Sequence, residues 1–127
     1  MPIAAVFPLC KLARKTMSSE RYARITADPP WTSERALQII QEARMVAARL
    51  DTGRILFDLR RWDSPSSQMV RYDSGVFVAQ LLNLPYRIAA LANEEVVNYF
   101  GETVAVNRGA DLRVFTDEAA ALAWLLE

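Results

Sequence analysis

Apolar and polar positions along this chain follow two periods that take turns. Over 20–27, Tyr22, Arg24 and Thr26 interleave with Ala23 and Ile25, the two-residue period of a half-buried strand near a sheet edge. Asp28-Pro29-Pro30 ends it, because proline has no N–H to give a ladder. From 33 to 50 the period changes to that of a helix. Ala36, Ile39, Ile40, Ala43, Val46, Ala47 and Leu50 fall on one face, and Arg35, Gln38, Glu42 and Arg49 on the other. Thr32 precedes the helix with a capping hydroxyl, and Glu34 sits in the first turn, where negative charge meets the helix dipole favourably.

The stretch Arg54-Ile55-Leu56-Phe57-Asp58-Leu59-Arg60 follows a glycine turn, Asp51-Thr52-Gly53. Both of its alternating sets are apolar, so both faces need cover, which is the pattern of a central strand in a helix-flanked parallel sheet. A polar turn follows, in which Ser64 or Ser66 is positioned to cap a helix over 66–84. That helix carries Met69, Val70, Val76, Phe77, Leu81 and Leu84 and stops at Asn83/Pro85; Gly75 inside it costs about 1 kcal/mol against alanine. A second buried strand spans 86–92. Asn93 is predicted to cap a helix over 94–108, with Glu94 and Glu95 in its first turn and Gly109 as its left-handed stop. The last strand covers 112–115, Thr116 is predicted to cap the last helix, and 119–126 is apolar almost all round. Such a helix is expected to pack deeply, with Trp124 burying the largest area. Strand and helix thus alternate four times, giving an α/β fold: a single, mainly parallel mixed sheet of four to five strands with helices packed on it.

Composition narrows the chemistry. The chain has 127 residues, 52% hydrophobic and 24% charged, which is the make-up of one globular domain rather than a disordered segment. Lys+Arg and Asp+Glu are both 15, so no overall positive field draws the chain to nucleic acid. There is no histidine, which removes the commonest general base, the Ser-His and Cys-His nucleophile pairs and most zinc and iron sites. No cofactor loop or metal set is visible, so no cofactor is expected. Cys10 is the single cysteine, and a reducing cytoplasmic setting is the natural expectation. No apolar run approaches the roughly 20 residues that span a bilayer. In 1–20 the basic Lys11-Leu12-Ala13-Arg14-Lys15 follows the apolar stretch, the reverse of a signal peptide. Three readings fit these residues: a strand over 6–13 pairing with 22–26, a loose tail, or a true start at Met17. The chain divides into 1–20, an N-terminal strand or tail, and 21–127, the α/β domain.

Four pieces in order resemble one family. They are Pro30-Trp31-Thr32, Ile55-Leu56-Phe57-Asp58, Arg87-Ile88-Ala89 and the closing run 112–125 from Leu112-Arg113-Val114-Phe115 to Trp124-Leu125. Together they resemble the SpoIIAA-like proteins, grouped with the STAS (sulfate transporter and anti-sigma factor antagonist) domains and called STAS/SEC14-like. The resemblance implies a helix-covered sheet in which a first strand pairs antiparallel at the edge. It also implies a regulatory or interaction module without enzymatic activity, binding a partner kinase or regulator. In that family a serine in an Asp-Ser-x-Gly-type loop before a helix is phosphorylated to break the contact. The matching loop here is Asp63-Ser64-Pro65-Ser66-Ser67, with the aspartate and serine present and the glycine not; Tyr72-Asp73-Ser74-Gly75 looks similar but falls inside a predicted helix.

The residues themselves offer two candidate sites. Ligands of open α/β sheets gather beyond the carboxyl ends of the strands. Arg60, Arg61, Trp62, Asp63, Asn93 and Thr116 stand at those ends, an edge suited to an anion or a partner loop, with Ser64, Ser66 and Ser67 as candidate phosphate acceptors. Ordinary capping and ion pairing account for the same residues and are the commoner outcome. Met69, Phe77 and Leu81 are the candidate lining of an apolar pocket under the second helix, the alternative being a small carrier of a lipid-like molecule. Asp58, inside an apolar strand, needs a donor, for which Arg60 and Arg87 are the candidates. The expected partner is a protein, with an apolar small molecule as runner-up; a homodimer is open.

Overall fold

The computed structural model describes residues 21–62 and 67–127. Within them the order is β1 (Ala23–Thr26), α1 (Ser33–Leu50), β2 (Arg54–Asp58), α2 (Gln68–Leu81), β3 (Arg87–Leu91), α3 (Phe100–Asn107), β4 (Asp111–Phe115) and α4 (Glu118–Leu125). The four strands form one sheet in the order β1-β2-β3-β4, every neighbouring pair parallel. The α/β architecture is therefore as the hydrophobic periods predict. The additional N-terminal strand expected in 1–20 lies outside the described residues.

Strand alternation divides the core into two layers. Ala23, Ile25, Ile55, Phe57, Ile88 and Ala90 point to the face covered by α1, α2 and α3. Leu56, Ala89 and Leu91 point the other way, onto Ala121 and Leu125 of α4. β2 is the strand the pattern predicts: Ile55 and Leu56, on opposite faces, are both 0% exposed. Three helices share one face, and a single eight-residue helix covers the other.

Most caps follow local chemistry. Thr32 Oγ1 accepts the Arg35 N–H at 3.1 Å and starts α1. α1 closes on Asp51 in the left-handed region, φ 57°, two residues before Gly53. Gly109 closes α3 with φ 101°, as predicted. Ser67, rather than Ser64 or Ser66, caps α2 by accepting the Val70 N–H at 3.2 Å, and the helix is shorter than expected at both ends.

Three expectations are corrected. Asn93 does not cap a helix. Its Nδ2 donates to the carbonyls of Arg60 at 2.7 Å and Trp62 at 3.4 Å, so the residues after β3 make a turn and α3 starts only at Phe100. Thr116 is not a cap either: the carboxylate of Asp117 accepts the Ala120 N–H at 2.9 Å and starts α4 one residue later. Finally, α4 is not deeply packed. Only Ala121 and Leu125 are buried, because the helix lies on the sheet with nothing above it among the described residues. Trp124 is half-buried under Arg87, whose guanidinium sits 4.1 Å from the ring centre, with Arg113 at 5.6 Å.

Candidate functional site

The carboxyl ends of the strands carry two different environments, one on each face of the sheet. On the α4 face Asp58, 7% exposed, is held by arginines from two directions. Arg60 gives it Nε at 3.0 Å, Nη2 at 2.9 Å and its backbone N–H at 3.1 Å. Arg24, from β1, adds Nη2 at 2.9 Å. Both arginines also reach Glu118 at the start of α4, at 3.1 and 3.0 Å, closing a four-membered ring of alternating charge. The hydrogen bonds from Arg60 hold the Asp58 carboxyl down at about 2, against the opposing pull of burial. Glu118 is lowered as well, first by its hydrogen bond from Arg24. Arg87, expected as a donor to Asp58, stands at the amino end of β3 instead and pairs with Glu127 at 3.2 Å.

The same pairings account for the predicted anion edge. Arg60 is spent on Asp58 and Glu118, and Arg61 on Asp28 at 2.7 Å. Asn93 points its amide at backbone carbonyls, and Thr116 is exposed. Arg60, Arg61, Trp62 and Asn93 do come together around the β2–α2 and β3–α3 turns, but as an internally satisfied cluster. Asp63, Ser64 and Ser66 lie outside the described residues; Ser67 is exposed at the α2 cap.

On the other face the carboxyl ends border a half-open cavity of about 120 Å³. Its floor is buried: Phe57 of β2, Ala90 of β3, Val78 of α2, and Ile39 and Ile40 of α1. Leu112 and Val114 of β4 form one side, and Gly75 of α2 and Gly101 of α3 another. Half-exposed Trp31 and Trp62 stand at its rim, stacked with ring centres 4.5 Å apart and planes 29° apart. Val96 and Val97, in the irregular turn before α3, line it as well. That turn is tied down twice, by Asn93 to the β2–α2 turn and by Arg71, whose Nη2 donates to the Val96 carbonyl at 3.0 Å.

The wall is almost all carbon, with Arg71, Ser74, Asn98 and Glu102 as its polar members. Ser74 donates to the Val70 carbonyl at 2.7 Å, and Asn98 Oδ1 accepts the Phe100 N–H at 3.1 Å. Burial pushes the Glu102 carboxyl up, opposed by the Val114 N–H and the charge of Arg113. Burial likewise lowers Arg71. Among the described residues no three metal-ligating side chains converge, and no helix is long and apolar enough to cross a membrane.

The expected pocket lining is only half right in place. α2 does form a wall, but through Arg71, Ser74, Gly75 and Val78. Met69 is 63% exposed, and Phe77 and Leu81 pack into the core beside α1 rather than into the cavity. At about 100° per residue the two sets fall on different sides of α2, a weakly patterned helix that packs against both α1 and α3. The residues that sequence reasoning missed are Trp31, Ala90, Val96, Val97 and Gly101. The one available signal was the run Ala89-Ala90-Leu91-Ala92, where a buried strand carries methyl groups in place of bulky side chains. No protein-family model, curated protein or solved structure matches the chain.

Proposed function

We propose that this protein is a small non-enzymatic binding module that takes an apolar ligand in the cavity between Phe57, Val78 and Ala90. The observation that carries the reading is the placement of that cavity. It sits at the carboxyl ends of β2, β3 and β4, where open parallel sheets hold their ligands. A carbon-lined hollow there, rimmed by two indoles, offers hydrophobic burial and little else. Its wall brings one carboxyl and one guanidinium, the latter already bonded to Val96, so binding fits it better than bond-making chemistry. The paired charges at the expected partner edge support the same preference, since Arg60 and Arg61 are already engaged by Asp58, Glu118 and Asp28. The four sequence pieces that resemble the SpoIIAA-like proteins are in keeping with a module that binds rather than catalyses.

The test is to fill the hollow. Protein taken straight from purification into native mass spectrometry should carry a small molecule that the Ala90→Leu variant lacks. If every preparation of the parent is ligand-free, and Ala90→Leu is merely more stable, the cavity is a packing void and the reading falls.

A further inference from the structure

From the dimensions and lining of this cavity, and resting on the reading above, we infer that the ligand is a single neutral aromatic ring, not an acyl chain. Sites for drug-sized or lipid-sized molecules enclose roughly 300–1,000 Å³. The volume here is about 120 Å³. An engineered apolar cavity of about 150 Å³ holds one benzene, so this hollow is ring-sized. On the core side a long hydrocarbon chain has nowhere to continue, since Val78, Ile40 and Ala90 close the floor, each less than 10% exposed, and its remainder would leave by the open side into water. Three aromatic side chains, Trp31, Phe57 and Trp62, flank the space, and aromatic pairs gain from edge-to-face and offset contacts beyond their buried area. Neutrality follows from the wall, where a charged group would lose water and meet mostly carbon. Ala90 sets the size limit, as a branched side chain at that strand position would occupy the ring's place.

Toluene, methylcyclohexane and 1-dodecanol, each added to the full chain, separate the alternatives. Toluene is expected to raise the thermal midpoint by about 4 °C or more at saturation, methylcyclohexane less, and dodecanol not at all. In the Trp124→Phe background, iodobenzene should quench the emission of Trp31 and Trp62. Ala90→Leu should abolish both effects; Ala92→Val provides the same block should the leucine overpack the floor. Protection by dodecanol but not toluene, removed by Ala90→Leu, would overturn the ring and leave the binding module standing. Equal protection by toluene and methylcyclohexane would overturn its aromatic character. Protection by none of the three would overturn the ring, and the module falls with it if native mass spectrometry also finds the parent free of ligand.

Discussion

Asp58 shows how one carboxylate can serve two masters. It is an acid that follows Ile55, Leu56 and Phe57 at the end of a buried strand, and burial pushes its carboxyl up. Three donors from Arg60 and one from Arg24 reverse that pull. Its carboxyl titrates at about 2 in the fold and near the ordinary 3.8 in the unfolded chain. Between those values the unfolded chain takes up a proton that the fold does not, so stability is full above about pH 4 and falls toward pH 2. The shift corresponds to about 2 kcal/mol. Urea denaturation at pH 6, 4 and 2.5 checks this. Asp58→Asn should be the less stable protein at pH 6, by about 2–3 kcal/mol, with the gap narrowing as the pH falls. Curves that run parallel across the range would show that the ring with Glu118 holds no stability in Asp58.

At the scale of elements, α2 and α3 share the most extensive contact between any two elements among the described residues. A Cβ on Gly75 would stand 2.6 Å from the Gly101 carbonyl oxygen and 2.9 Å from Val104 Cβ, both of them fixed points of α3. In a helix interior alanine is normally better than glycine by about 1 kcal/mol. Here the sign reverses: Gly75→Ala should cost about 1–3 kcal/mol by forcing α3 away. Gly101→Ala, with its nearest atom the Arg71 carbonyl oxygen at 3.3 Å, should cost less. Chemical denaturation of the two variants measures the order, and the reverse order would mean the helices are spaced otherwise. The same elements show what a sequence can and cannot disclose. Thr32 and Gly109 were legible because a cap depends on residues three or four positions away. Asn93 was not, since its amide chooses between a local N–H and carbonyls more than thirty residues distant. Helix and strand periods were legible for β1, α1 and β2 because each element has one clear apolar pattern. The cavity was not, because a hollow belongs to no element: it is the space that Ala90, Gly75 and Gly101 fail to fill between the sheet and the helices of one face.

For the whole molecule, the asymmetry of cover decides where stability resides. Leu56 is fully enclosed between β1, β3 and α4, whereas Trp124 lies half-open beneath Arg87. Leu56→Ala should therefore cost about 2–5 kcal/mol, and Trp124→Ala distinctly less despite its larger side chain. Thermal or urea unfolding of both variants tests the ranking; equal losses would mean α4 is buried more deeply than it stands here. The strand order carries a further meaning for how the chain comes into being. Every ladder joins segments that follow one another along the backbone, so a nascent polypeptide is able to assemble strand upon strand as it leaves the ribosome. The Arg24–Glu118 bond, between residues 94 positions apart, breaks that rule. It forms only when α4 folds back beneath the sheet, so α4 acts as a bolt: until that helix has been made, its side of the sheet leaves an oily strip of Leu56, Ala89 and Leu91 uncovered by it.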